Sequence, residues 1–330
     1  MTRLTRRTLL AGAAATGALA ATSLRAQADI VEAVPDLTGT SILITGCSTG
    51  FGRLGAEHYA RLGARVFATM RNMPRPEADE LRDLAMAEKL DLFIIEIDVT
   101  DDESVMAGVT EAERLNGGPI DVLVNNAGIG LSGPIEVQDM EATQLMFDTN
   151  VFGPHRMARA MLPGMRAKGG GQIFQISSQL GRVILPNTGH YSPTKFALEA
   201  MGEAMAYELV PHNIEVTIVE PGGYPTQVWV NRNRYARELK ERASQVHLAG
   251  YPDAVARMGA EDGSGRSADP MDIPHLIART IAMPSGTRPL RAPVSGSPMA
   301  QLAINEATRD AQLSWLGRSA YGPLMRAVHD

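Results

Sequence analysis

Ser41-Ile42-Leu43-Ile44-Thr45-Gly46-Cys47-Ser48-Thr49-Gly50-Phe51-Gly52 begins as a short apolar run, breaks into glycines and then takes up a helical pattern. Residues 41–45 read as a buried strand, and a helix is expected from Gly52 to Leu62. Glycines between a strand and a helix permit a tight turn and let the backbone come close to a pyrophosphate. The positive end of the helix then stabilises that charge. Gly46, Ser48, Gly50, Phe51 and Gly52 are therefore candidate cofactor-binding positions. Cys47 reads as a small filler in this loop, with an oxidisable thiol as the alternative. It is the chain's single cysteine, so no intramolecular disulfide can form.

The same alternation continues outward from this stretch. Strands are expected at 65–69, 92–97, 121–124, 172–177, 215–219 and 290–294. Helices are expected at 77–89, 103–114, 143–168 and 191–210. Apolar strands that alternate with helices imply a parallel sheet covered on both faces. The fold class predicted is α/β, a single doubly wound, mostly parallel sheet of the Rossmann type. Residues 223–270 are polar, with Asn231-Arg232-Asn233-Arg234 and Glu261-Asp262-Gly263 among them, and read as a mobile insertion. Residues 296–330 read as a helical extension centred on 300–313.

The residue after the second strand selects the ribose of a dinucleotide. A carboxylate there would bond the 2′-hydroxyl of NAD, whereas an arginine accommodates the 2′-phosphate of NADP. Met70 and Arg71 occupy that place, with no acid to repel a phosphate. NADP(H) is favoured and NAD(H) is the alternative.

Tyr191-Ser192-Pro193-Thr194-Lys195 carries the chemistry, with Ser178 thirteen residues before the tyrosine. Residues four apart share one helix face. A tyrosine titrates near pH ~10 and becomes a useful acid/base only beside a positive charge. Lysine suits that task because its compact ammonium can also bond a ribose and be tuned by burial.

Taken together, Thr45-Gly46 with Gly50 and Gly52, Asp98-Val99, Asn125-Asn126-Ala127-Gly128, Asn150, Ser178, Tyr191 with Lys195, and Pro221-Gly222 resemble the short-chain dehydrogenase/reductase family over about residues 38–295. The resemblance implies Tyr191 as general acid/base, with Ser178 bonding the substrate oxygen. It also implies Lys195 lowering the Tyr191 pKa and holding the nicotinamide ribose. Asn150 would support a water behind Lys195. Asp98 and Val99 would flank the adenine, and Asn125, Ala127 and Gly128 would line the cofactor cleft. Pro221, Gly222 and Thr226 would border the nicotinamide. A homo-oligomer through the helices starting near Thr143 and Tyr191 is implied as well. Phe51 is similar to the branch that holds hydroxysteroid and retinol dehydrogenases.

The expected activity is an alcohol dehydrogenase or carbonyl reductase. Its small-molecule substrate would sit among Ser178, Gln179, Leu180, Thr188, His190, Tyr191, Tyr224 and residues 223–270. Leu180, Val183, Ile184, Leu185, Val228 and Trp229 give that pocket an apolar cast. The alternatives are a cofactor-binding sensor or scaffold without turnover, and a lyase or epimerase using bound cofactor. An intact serine, tyrosine and lysine set argues against a pure binder. No metal site is expected.

Net charge is −6 and no basic run lies beyond the N-terminus, so nucleic acid is excluded as a partner. Residues 1–28 stand apart. Arg6-Arg7 precedes a mildly apolar Ala/Gly/Leu stretch that ends at Ala26-Gln27-Ala28. This is the make-up of a twin-arginine signal peptide, read by the export machinery and cleaved at Ala28, with residues 29–37 as a linker. A periplasmic enzyme, exported folded, is the corresponding expectation. The alternatives are a cytoplasmic or membrane-anchored protein with the leader retained.

Overall fold

Among the described residues, the apolar run from Ser41 becomes an interior strand of a seven-stranded sheet. A computed structural model describes residues 34–296 and 299–329. The leader and its cleavage site lie outside the described residues. Among those residues no helix is long and apolar enough to cross a membrane.

The strands are β1 (Ser41–Ile44), β2 (Arg65–Met70), β3 (Leu92–Glu96), β4 (Val122–Asn125), β5 (Gly171–Ile176), β6 (Ile214–Pro221) and β7 (Arg291–Val294). They run in the order β3-β2-β1-β4-β5-β6-β7, and every pairing is parallel. Ile42 lies between Val66 and Val122. Chain direction across the sheet reverses between β1 and β4, which opens a crevice at their carboxyl ends.

Successive side chains of a strand point to opposite faces, so a strand buried on both must be apolar throughout. Ile42 and Ile44 pack on one face with helix α1 (Gly50–Arg61) through Ala56 and Tyr59. Leu43 packs on the other face, among residues of α3 (Asp102–Asn116) and α5 (Gly153–Lys168). Between these come α2 (Pro76–Glu88) and α4 (Met140–Phe147). The long helix α6 (Tyr191–Leu209) follows β5.

The sequence-based reading needs correction at three places. The single helix expected at 143–168 is broken into α4, a π-helical turn at Asp148–Phe152, and α5. Pro154 has no N–H to continue the ladder, and Val99 packs so closely on Gly153 that a Cβ there would lie 2.9 Å from it.

Residues 223–270 are not a structureless insertion. They form α7 (Val228–Arg242), α8 (Gln245–Leu248) and α9 (Pro252–Arg257). Ala236 and Leu239, three apart in an Arg- and Asn-rich helix, pack with Leu131, Met146 and Met258 in a small core of their own. Two buried apolar positions in fifteen residues are too thin a stripe to stand out as periodicity.

The third correction is an element that went unanticipated, α10 (Asp272–Ala282), which covers the α1 face of the sheet through Ile273, Ile277 and Ile281. The tail is helical as expected, forming α11 (Gln301–Leu316) and α12 (Gly322–His329). It is part of one compact unit that starts at Asp36.

Candidate active site

The β1–α1 turn and the β4 carboxyl end are tied together by main-chain and side-chain hydrogen bonds. Thr45 Oγ1 accepts from the backbone N–H groups of Asn126 (3.0 Å) and Ala127 (2.9 Å). Asn126 Nδ2 donates back to the carbonyls of Thr45 (2.8 Å) and Gly46 (3.2 Å). Two glycines in the turn are obligatory. Gly46 has φ +73°, and a Cβ on it would lie 2.9 Å from Ala127 Cα. A Cβ on Gly52 would lie 2.3 Å from the Gly46 carbonyl oxygen. Thr49 places no side-chain cap on α1, so the first N–H groups of that helix are left for another acceptor. This cradle fits a dinucleotide pyrophosphate.

Arg71 follows β2 and lies beside Asp98. Its Nη1 lies 3.7 Å from Asp98 Oδ2, and its Nη2 donates to Tyr235 Oη at 3.3 Å. Asp98 Oδ1 accepts from the Thr100 backbone and hydroxyl, which fixes the loop after β3. Cys47 is fully buried under the turn, and burial pushes its thiol up to about 12. A protonated, enclosed sulfur is a filler, not a redox centre.

Ser178, Tyr191 and Lys195 meet at the other end of the cleft. Ser178 caps a short 3₁₀ turn at Gln179–Gly181, with its Oγ accepting from Leu180 N–H at 3.1 Å. Tyr191 and Lys195 stand one turn apart at the start of α6, with the ammonium 5.7 Å from the ring centre. Lys195 Nζ donates to the Ile176 carbonyl at 2.8 Å. Burial raises the Tyr191 phenol, while its hydrogen bond with Ser178 and the positive field of Arg232 lower it. Lys195 was expected to be the group lowering Tyr191. Among the causes that move the phenol here, Ser178 and Arg232 oppose burial instead. Burial pulls Lys195 itself down to about 8, against the attraction of Glu199.

Asn150 lies in the π-helical turn, where the extra residue swings it inward. Its Oδ1 accepts from Ile129 N–H at 2.8 Å, and its Nδ2 donates to the Ile129 carbonyl (2.9 Å) and Thr194 Oγ1 (3.1 Å). It thus joins the β4 loop to the helix that carries Tyr191 and Lys195.

A cavity of about 980 Å³ runs between these ends. Gly46, Ser48, Gly50, Phe51, Arg71, Asp98, Val99, Ala127, Gly128, Ser178, Tyr191, Lys195, Pro221, Gly222 and Thr226 all line it. Gly52 and Asn150 stand behind its wall. Asn125 does not line it, contrary to expectation: its side chain turns into the protein, with Nδ2 donating to the Pro154 carbonyl at 3.5 Å. Strand alternation sends Asn125 one way and leaves Asn126 for the crevice. His190 also faces away, toward Gln138 Oε1 (2.9 Å) and Thr143 Oγ1 (3.3 Å). Val183 and Ile184 lie outside the lining, whereas Leu180, Leu185, Val228 and Trp229 belong to it.

Sequence reasoning missed Arg232, Glu261 and Arg266 on the cavity wall and the ion-pair core behind Lys195. In that core Arg291 bonds Glu199 (Nε–Oε2, 2.9 Å) and Glu203, with Glu220 at 3.5 Å. No local motif marks either cluster, because its members come from separate elements.

The short chain dehydrogenase family matches residues 40–236. An uncharacterized oxidoreductase, YusZ, of Bacillus subtilis is 35% identical over 76% of this chain and 88% of its own length. Retinol dehydrogenase 8 of Bos taurus is 34% identical over 76% of this chain and 80% of its own. The crystal structure of a short-chain dehydrogenase from Streptomyces avermitilis superposes with a TM-score of 0.67 at 29% identity, covering 86% of this chain and 99% of that one. The chain belongs to the short-chain dehydrogenase family of oxidoreductases, with a Rossmann-type fold.

Proposed function

We propose that the protein is an NADP(H)-dependent reductase or dehydrogenase that interconverts an apolar ketone or aldehyde and its alcohol. The convergence of Ser178, Tyr191 and Lys195 at one end of a cavity whose other end is the glycine cradle carries this reading. A bound nicotinamide supplies or takes the hydride at the carbonyl carbon. The chain's own residues manage the oxygen. Ser178 and Tyr191 hold it by hydrogen bonds, and in reduction the Tyr191 phenol gives it a proton while the C=O bond becomes CH–OH. The phenolate left behind faces the Ser178 hydrogen bond and the positive field of Arg232, and regains its proton from solvent. Burial keeps Tyr191 protonated near neutral pH, which suits the reductive direction.

Arg71, which follows β2, supports NADP(H) over NAD(H), since a guanidinium pairs with a 2′-phosphate. Leu180, Leu185, Val228 and Trp229 support an apolar substrate, in line with the name of the bovine retinol dehydrogenase relative. Arg6-Arg7 and Ala26-Gln27-Ala28 support export by the twin-arginine route to the periplasm. Free NADP is scarce there, so the cofactor binds before export and travels with the folded chain.

The test is a panel of ketones with NADPH and NADH, wild type against Tyr191→Phe. Loss of proton transfer should cost about 100- to 10,000-fold in kcat. Equal rates would refute the mechanism, and recovery of mature periplasmic protein without nicotinamide would count against preloading.

A further inference from the structure

At the substrate end of the cavity, two guanidiniums lie against the Trp229 indole. Arg266 is 3.8 Å from the centre of the ring and Arg232 is 5.1 Å away. Both arginines reach the same carboxylate: Arg232 Nη1 donates to Glu261 Oε2 at 2.9 Å, and Arg266 Nη2 donates to Oε1. One negative charge is thus set against two positive ones. Arg232 is largely buried, with 16% of its side chain exposed, and burial lowers its pKa. Among the described residues Glu261 is its only hydrogen-bonding partner, although a guanidinium has five donors to place.

Its position is specific. A Cβ built on Gly130 would lie 3.7 Å from Arg232 Cδ and 3.9 Å from Tyr191 Cδ2, so the arginine and the proton donor flank the same spot. The adenosine end of the cleft has cations of its own in Arg71 and Arg75. One turn along α7 from Arg232, Tyr235 reaches toward that end and bonds Arg71. Arg232 is therefore not needed there. A largely buried guanidinium with donors to spare beside an apolar wall suits an anionic partner, and its planar fork matches a carboxylate.

We propose that Arg232, aided by Arg266, recognises a carboxylate on the substrate, so that the preferred substrates are apolar carbonyl compounds or alcohols bearing an acid group. The proposal builds on the carbonyl–alcohol reading above. Glu261 holds the two arginines in place and cedes part of its hydrogen bonding when the acid enters.

The probes are 7-oxooctanoate and its methyl ester, the same ketone with and without the charge. Binding is read from Trp229 fluorescence in full-length Trp315→Phe protein, so that one tryptophan reports and no turnover is required. The acid should bind about tenfold or more tighter than the ester, the worth of a charge-assisted hydrogen bond. NADPH oxidation should show the same preference in kcat/KM. Arg232→Met should erase the preference, Arg232→Lys should keep part of it, and Arg266→Met should weaken it. Equal affinities of wild type for acid and ester would overturn the proposal, and that comparison needs no variant to fold. So would an Arg232→Met protein whose NADPH affinity drops as far as its affinity for the acid, since the arginine would then serve the cofactor. Tight binding of the acid with no reduction of any ketone would support the anion site and defeat the carbonyl reading.

Discussion

Lys195 holds its ammonium 5.7 Å from the centre of the Tyr191 ring, one helical turn away on α6, while bonding the Ile176 carbonyl at the end of β5. Helix and sheet are thereby joined beside the proposed proton donor. Both groups pay for burial by moving toward neutrality, Tyr191 upward and Lys195 down to about 8.

In the proposed reduction, that depression should set the pH dependence. Below about 8 the ammonium beside the Tyr191 ring is charged, and above it that charge is lost. Tyr191 stays protonated through this range. We expect kcat/KM for a neutral ketone to be level on the acid side and to fall as pH rises through Lys195. In Lys195→Met the rate should be low and that inflection absent. A wild-type profile that stays level far above this value would contradict the assignment.

Cofactor choice should follow Arg71. Arg71→Ala removes the cation beside Asp98, and NADPH affinity should drop about 10- to 100-fold, while NADH affinity changes little. Equilibrium titration with each nucleotide decides the matter. A parallel loss for both would mean that Arg71 does not read the 2′ position.

The glycine cradle allows a sharper trial. In Gly52→Ala the new methyl would lie 2.3 Å from the Gly46 carbonyl and 2.5 Å from Asn126 Nδ2. The turn must shift, at a cost of about 1–3 kcal/mol in stability and with nucleotide affinity reduced. Thermal unfolding and nucleotide titration should both respond. Unaltered nucleotide binding would show that the pyrophosphate does not sit here.

Glu220, fully buried at the end of β6, is raised to about 7 by burial and by the charge of Glu199, against hydrogen bonds from Asn305 on α11. An ordinary glutamate titrates at 4.5. Between these values the folded chain keeps a proton that the unfolded chain gives up, so stability falls as pH rises through that window. Glu220→Gln should therefore stabilise the protein by about 1–3 kcal/mol at pH ~8 and by little at pH ~5. Chemical denaturation at the two pH values tests this. A variant less stable at both would show that the charge is needed by Arg291.

Much of this was legible in order and spacing. The run from Ser41 to Gly52 set a buried strand, a glycine turn and a helix start beside one another. Tyr191 and Lys195 share a helix face whatever surrounds them. Other features had no local signal. Asn125 and Asn126 are neighbours of identical type, and only the pleat of β4 decides which one faces the crevice. Arg232 looked like one more polar residue in an arginine-rich segment until Ala236 and Leu239 pinned α7 over the cleft.

By itself, then, the sequence determined the parallel α/β architecture and the Ser178, Tyr191 and Lys195 set, because period and short-range spacing govern both. Tertiary structure alone decided what those residues experience. The π-helical turn that rotates Asn150 inward, the burial that shifts Tyr191 and Lys195, and the meeting of Arg232 with Glu261 and Arg266 all depend on groups far apart along the chain. Solvent exclusion and charge act through space, and the fold is what brings those groups within their reach.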